Sequence, residues 1–288
     1  MNTSQSFSKN NTTMRVGEQL VDLSAPLVMG IVNVTPDSFF AESRSYTADT
    51  VAARVCQVLQ EGGRIVDLGA YSSRPGAAEV SEQEELRRLS MGMEIIRSKF
   101  PQAIASIDSF RSSVIAEVVR RFGAVVVNDI SGGELDAKMF ETVAKLGLPY
   151  ILMHMRGNPK TMQQLTSYEN LLAEMMQYFS GKIRALHQMG VADIILDPGF
   201  GFAKTAEQNF ELMRQLNEFK IFELPLLVGV SRKAMIYRTL GVAPEESLNG
   251  TTVLNTIALG KGAKILRVHD VKAAVEATQL HKFISHNS

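Results

Sequence analysis

The chain has one cysteine, no tryptophan and no excess of either charge: Lys and Arg together number 30, and so do Asp and Glu. Each shortage excludes something. A lone Cys56 cannot close an internal disulfide, which favours a reducing, cytoplasmic setting over a stapled secreted scaffold. Zero formal net charge argues against nucleic acid as a partner, because phosphate backbones select basic surfaces. No apolar run approaches the roughly 18 residues of a membrane helix, so no membrane partner is expected. The polar opening MNTSQSFSKNNTT lacks the apolar stretch of a signal peptide. The five histidines show no HExxH spacing, and there is no Walker motif, so neither a zinc site nor a P-loop is expected.

What is present is an ordinary globular composition: 288 residues, 45% apolar, enough to bury a sizeable core. Residues 1–13 read as a disordered tail rich in Ser, Asn and Thr, and residues 14–288 as one domain. Arg15 to Ser24 reads as a short hairpin around Gly17. Eight short apolar runs then follow: Leu27–Val34, Ile65–Gly69, Ile104–Asp108, Ala124–Asp129, Tyr150–Met153, Asp193–Asp197, Leu226–Val230 and Lys264–His269. Near-continuous apolar runs suit parallel strands covered on both faces. Between them the spacing is helical. Val114, Ile115, Val118, Val119 and Phe122 form one stripe, and Leu86, Leu89, Met93 and Ile96 another. Glycines at Gly62-Gly63, Gly123, Gly147, Gly190 and Gly262 mark helix ends. Eight strand–helix alternations predict an α/β fold, a TIM (β/α)8 barrel, with a doubly wound open sheet as runner-up. The connections at Thr35–Asp49 and Ala70–Ser81 are the long ones, which places function at that end.

Polar residues gather where the apolar runs stop. Asn33, Asp67, Asp108, Asn128, Asp197, Ser231, Lys233, Arg267 and His269 all stand at or just past a strand's C-terminal end, the ring where barrel active sites are built. Any one of them is equally a helix cap; as a set they converge on one mouth, which capping explains less well. In NVTPDSFF, Pro36 pushes Thr35 into extended geometry, and the Asn33 amide oxygen is either a hard ligand suited to Mg²⁺ or a turn former. In AYSSRPG, Arg74 offers a bidentate contact to a phosphate or carboxylate, or is a solvated loop arginine. DPGFGF lets backbone approach a ligand beside Asp197; it is not the dinucleotide fingerprint, since Lys204 stands where the third glycine belongs. GVSRK is not a nucleophile elbow, because Lys233 replaces its last glycine. Ser231 suits an anion, and Lys233 a ring nitrogen or carbonyl. Arg267 and His269 share one strand face at the end of the eighth strand, where barrels favour phosphate, so a diphosphate held by them and Arg74 is physically sensible. His154 and Cys56 read as packed structural residues.

These motifs, in order, resemble the dihydropteroate synthase family: MGIVNVTPDSF, SSRPGAAEVS, SIDS, NDI, LMHMRGNPKTMQ, DPGFGF, PLLVGVSRK and RVHDV, from about Val28 to about Phe283. The resemblance implies a TIM-barrel homodimer using Mg²⁺. Its reaction joins 6-hydroxymethyl-7,8-dihydropterin diphosphate to 4-aminobenzoate, giving 7,8-dihydropteroate and diphosphate. By resemblance, Asp108, Asn128 and Asp197 hydrogen-bond the pterin edge, Lys233 its ring, and Met153 packs on it. Asn33 helps hold Mg²⁺, with Arg74, Arg267 and His269 on the diphosphate. Ser73 and Ser231 hold the aminobenzoate carboxylate, with Pro75, Phe39 and Phe202 around its ring. The catalytic set is then Lys233, Asp197, Arg74, Arg267 and His269, with Asp67 nearby and no role assigned. The resemblance also implies a dissociative route, in which the diphosphate leaves before the amine attacks.

The chain departs from the family where FFAES follows Ser38, where Ala70-Tyr71 replaces a common Gly-Glu, where Ser73 replaces Thr, and where Ala203 replaces Gly. The Ser72–Pro75 stretch is kept, so sulfonamides are expected to compete with aminobenzoate. Two alternatives carry the same barrel: a pterin-dependent methyltransferase, which needs no diphosphate site, and a non-catalytic pterin-binding paralogue.

Overall fold

Eight parallel strands close into a barrel whose interior is layered, apolar below and polar above. The structure, a computed structural model, describes residues 13–34, 48–71 and 79–285. An antiparallel hairpin, β1 (Thr13–Val16) and β2 (Gln19–Asp22), precedes the barrel. The barrel strands are β3 (Leu27–Asn33), β4 (Ile65–Gly69), β5 (Ile104–Asp108), β6 (Val126–Asp129), β7 (Tyr150–Met153), β8 (Ile194–Asp197), β9 (Leu227–Val228) and β10 (Ile265–Val268). They run β8-β7-β6-β5-β4-β3-β10-β9, and a parallel bridge from Leu196 to Leu226 joins the two ends. This is the TIM barrel that the alternation predicts, not the open sheet.

The shell is α1 (Ala48–Gln60), α2 (Glu82–Lys99), α3 (Ser112–Phe122), α4 (Met139–Leu146), α5 (Leu171–Gln188), α6 (Ala206–Arg214), α7 (Ala234–Leu240), α8 (Leu248–Gly260) and α9 (Val271–Ser285). The predicted stripes are the buried faces: Val114, Ile115 and Val118 on α3, and Leu89, Met93 and Ile96 on α2. Caps set the starts, as at α6, where Thr205 and Gln208 form a reciprocal capping box. Gly147 ends α4 at φ 62°, a conformation that glycine adopts without Cβ strain.

Strand periodicity explains the layers, because successive side chains point to opposite faces. Each barrel strand supplies an adjacent apolar pair. Met29, Ile65, Ile104, Val126, Ile151, Ile195, Leu227 and Ile265 face inward and form the floor. Their neighbours Val28, Val66, Ala105, Val127, Leu152, Leu196, Val228 and Leu266 join the core under the helices. One step further along each strand the inward positions are Ile31, Asp67, Ser106, Asn128, Met153, Asp197, Gly229 and Arg267. A largely polar layer therefore sits directly on the apolar floor.

The hairpin closes that floor from below. Met14, Val16, Val21 and Leu23 pack against the eight floor residues. Burying a side chain the size of Met14 or Leu23 stabilises by roughly 1.5–3 kcal/mol. The hairpin is pinned at its edges: the Arg15 amide donates to Asp193 (3.1 Å) and Lys264 Nζ to the Ser24 carbonyl (2.9 Å). Gly17 turns at φ 60°. The strands thus start at Thr13 and end at Asp22, shifted slightly from the Arg15–Ser24 reading. At the other end, β9 keeps only Leu227–Val228 of the apolar run. The chain leaves the ladder at Gly229 and turns through Arg232, which sits at φ 54°.

Candidate functional site

The polar layer is one connected network centred on two carboxylates and an arginine. Asp67, wholly buried on β4, accepts from Ser106 Oγ at 2.6 Å and from Asn128 Nδ2 at 3.2 and 3.3 Å. Arg267 on β10 spans two acids: its Nε donates to Asp67 at 2.7 Å, and one of its terminal nitrogens donates to Asp108 at 2.7 Å. Burial works against the Arg267 charge, but Asp67 and Asp108 outweigh it and hold its pKa above the usual value. Asp108 is pushed up by burial and by neighbouring acids, against the pull of Arg267. In the sequence reading Arg267 serves a diphosphate; the structure places its guanidinium between these two carboxylates.

Lys233 and Asp197 form the second half of the site. Asp197 ends β8, where burial raises its pKa and Lys233 opposes that rise. Lys233 Nζ donates to the Phe200 carbonyl and stands 4.8 Å above the Phe202 ring. Burial lowers its pKa to about 8, with Asp197 pulling the other way. The DPGFGF turn needs its glycines here. A Cβ on Gly199 (φ 69°) would sit 2.1 Å from the His154 carbonyl oxygen, and one on Gly201 (φ 81°) would sit 3.2 Å from the Lys233 chain. Ala203 adopts φ 50° with a Cβ in place, one of three described non-glycine residues in that region.

Lys204 is a residue the sequence reading used only to dismiss a motif. It is buried, and its Nζ reaches His154 Nδ1, the Gly199 carbonyl and the Phe202 carbonyl, each at 3.1 Å. Burial lowers its pKa to about 7 and that of His154 to about 2, so His154 is a neutral acceptor. The lysine straps the turn bearing Phe200 and Phe202 to the end of β7. His154 is structural, as the sequence suggested, and a lysine directly after DPGFGFA was the overlooked signal. Ser106 was also missed, although it lies two residues before Asp108 on the same inward face.

Ser231 and His269 meet, with Ser231 Oγ 3.0 Å from His269 Nδ1 and accepting the His269 amide at 3.1 Å. Burial, then Arg267 and Arg232, lower the His269 pKa to about 4, so the ring is neutral at pH 7. The intervening Arg232 forks onto Asp270 at 2.6 and 2.9 Å and holds this loop to the end of β10. Asn33 ends β3 at the mouth. A Cβ on Gly69 would lie 3.4 Å from its Oδ1 and 3.7 Å from Asp108 Oδ2, so the two side chains flank one gap. Met153 joins Ile130, Met155, Met162 and Ala203 in an apolar cluster with Phe110 and Phe202 against it. Among the described residues, no three His, Cys, Asp or Glu gather as a metal cage. Phe39, Ser73, Arg74 and Pro75 lie outside the described residues.

The mouth therefore presents acceptors from Asp108, Asn128 and Asp197 and a donor from Lys233, beside the apolar surfaces of Met153 and Phe202. That suits a flat heterocycle with a donor-rich edge. Residues 29–269 match the family described as pterin binding enzyme. A dihydropteroate synthase of Escherichia coli is 44% identical over 262 residues, 90% of this chain and 92% of its own length. A crystal structure of the Yersinia pestis dihydropteroate synthase with a sulfonamide drug superposes with TM-score 0.89 at 40% identity, over 95% of this chain and 99% of that one. The Xanthomonas albilineans dihydropteroate synthase with 4-aminobenzoic acid superposes with TM-score 0.87 at 31% identity, over 95% and 98%.

Proposed function

The chain belongs to the pterin binding enzymes and, within them, to the dihydropteroate synthases, and on that premise we propose how its residues divide the work. The substrates are a 6-hydroxymethyl-7,8-dihydropterin diphosphate and 4-aminobenzoate. The C–O bond from the pterin methylene to diphosphate breaks, and a C–N bond from that methylene to the arylamine forms. The amine proton leaves to solvent after attack. The observation that carries this reading is the acceptor set of Asp108, Asn128 and Asp197 opposite Lys233, which complements a pterin's ring N–H and amino group on one side and its carbonyl or ring nitrogen on the other. A methyltransferase or a silent paralogue is not favoured by relatives that are synthases over nine tenths of both lengths.

The catalytic demand is electrostatic, since departing diphosphate concentrates negative charge where fixed donors must already stand. Arg74, Arg267 and His269 are assigned to the diphosphate. The neutral His269 serves as a hydrogen-bond donor and not as a cation, given its pKa near 4. For Arg267 this role requires one guanidinium to serve the acids beside it and the leaving group together. Ser73 and Ser231 are assigned to the aminobenzoate carboxylate, with Pro75, Phe39 and Phe202 around the ring. Mg²⁺, when bound, supplies positive charge to the diphosphate. Asn33 would give it one hard oxygen, which fits an ion that takes most of its oxygens from substrate and water. The partner is a second copy of the chain. Leu248, Val253 and Ile257 on α8 and Leu280, Phe283 and Ile284 on α9 leave large apolar groups exposed.

Purified protein with Mg²⁺ and both substrates is expected to form dihydropteroate, with Lys233→Ala and Arg267→Ala each losing at least about a hundredfold in kcat/KM, the scale of a buried charged contact. A sulfonamide in the same assay is expected to raise the apparent KM for 4-aminobenzoate and leave kcat unchanged. Folded wild-type protein that binds pterin yet makes no dihydropteroate would overturn the proposal.

A further inference from the structure

Asp67 is wholly enclosed, at 0% exposure, and lies in the same inward layer as Asn128, Asp197 and Arg267. Four donor contacts converge on its two oxygens: Ser106 Oγ (2.6 Å), Asn128 Nδ2 (3.2 and 3.3 Å) and Arg267 Nε (2.7 Å). A carboxylate beside an arginine only accepts. The Asn128 carboxamide can therefore meet Asp67 only through its NH₂, which leaves Oδ1 as the prong turned away from it. The same carboxylate fixes Arg267 through Nε, so that a terminal nitrogen of the guanidinium reaches Asp108.

We propose that Asp67 is a positioning residue that sets the polarity of the heterocycle site. By orienting the Asn128 amide it makes that residue an acceptor, in line with the acceptors Asp108 and Asp197. The site then selects ligands whose edge carries contiguous N–H donors, a 2-amino group beside a ring N–H, and rejects those with a carbonyl at the same place. Without a fixed acceptor behind it, the Asn128 amide is free to flip and set NH₂ against NH₂. A donor facing a donor in a buried site leaves both unsatisfied, which is the larger penalty in hydrogen-bond energetics.

The inference rests on the pterin reading, and the test separates the two. Binding of 6-hydroxymethylpterin and of the corresponding lumazine, in which a carbonyl replaces the 2-amino group, is measured by calorimetry. Wild-type protein is expected to prefer the pterin by on the order of a hundredfold. In Asp67→Asn that preference falls by about tenfold or more, while the KM for 4-aminobenzoate moves by less than about twofold. The exchange variant Asp67→Asn with Asn128→Asp restores most of the preference. Its carboxylate, now on β6, accepts from the carboxamide on β4 with one oxygen and from the ligand with the other. Wild-type protein that binds neither ring overturns the functional reading itself. Wild-type protein that binds both rings equally overturns the polarity inference without recourse to any variant. An Asp67→Asn protein that keeps the full preference, or an exchange variant no better than Asp67→Asn alone, overturns it as well. The last two outcomes would mean that Asp67 only fills space.

Discussion

Lys233 shows how burial at one residue sets a pH range. Its ammonium is the donor of a site otherwise rich in acceptors, and burial beside Asp197 brings its pKa to about 8. The charged donor is therefore present below that value and lost as pH rises through it. Asp108, its pKa raised by burial to about 7, gains its acceptor charge as pH rises through that value. Pterin affinity is therefore expected to rise from pH 6 to a maximum between about 7 and 8 and to weaken above pH 8, by up to about tenfold per pH unit, the limit for loss of one proton. The alkaline limb should vanish in Lys233→Met, which binds weakly throughout; a wild-type affinity unchanged to pH 10 would contradict the assignment. His269 adds no limb in this range, since its pKa lies near 4. At this scale the sequence was legible where a residue ends a strand: Asn33, Asp108, Asn128, Asp197 and Arg267 all converge as strand-end reasoning requires. It was illegible where partners are distant in the chain. Nothing near Arg267 announces that its guanidinium lies between Asp67, 200 residues away, and Asp108, 159 residues away. The Lys204–His154 strap escaped for the same reason.

The hairpin β1–β2 illustrates the element scale. Its sequence gives a turn at Gly17, but its purpose is visible only in the barrel, where Met14 and Leu23 complete the floor. Met14→Ala and Leu23→Ala are expected to destabilise by about 2–5 kcal/mol each, the range for large-to-alanine changes in a core. Because the floor lies one layer below the polar residues, kcat and both KM values should stay within about twofold wherever the protein is folded. Thermal denaturation with kinetics at 20 °C checks both halves, and a kinetic loss without a loss of stability would show the floor to be coupled to the site. The barrel strands were readable because parallel strands buried on both faces are continuously apolar. β9 was overestimated because the apolar run Leu226–Val230 continues past the point where Gly229 and the left-handed Arg232 turn the chain away. Apolar character marks burial, not hydrogen-bonded pairing. The layering could have been read directly: counting two residues on from each inward floor position gives Asp67, Ser106, Asn128, Asp197 and Arg267.

For the whole molecule, the proposal of a second copy as partner rests on the exposed apolar side chains of α8 and α9. Val253 and Ile257 are one helical turn apart and are 49% and 41% exposed. Val253→Glu with Ile257→Glu is expected to convert a dimer to a monomer in sedimentation, because charges at the centre of an apolar interface are desolvated without partners. The double variant sedimenting like wild type would place the contact elsewhere. The closed barrel itself supplies what the chemistry needs from the fold: eight strand ends around one mouth, and an apolar floor that limits water behind the charges. The most direct test of the account is the stoichiometry of the two products. With Mg²⁺ and both substrates, dihydropteroate and diphosphate are predicted to appear in equal amounts, with neither accumulating ahead of the other. Diphosphate released in excess, without matching dihydropteroate, would contradict the claim that this mouth joins a pterin to an arylamine.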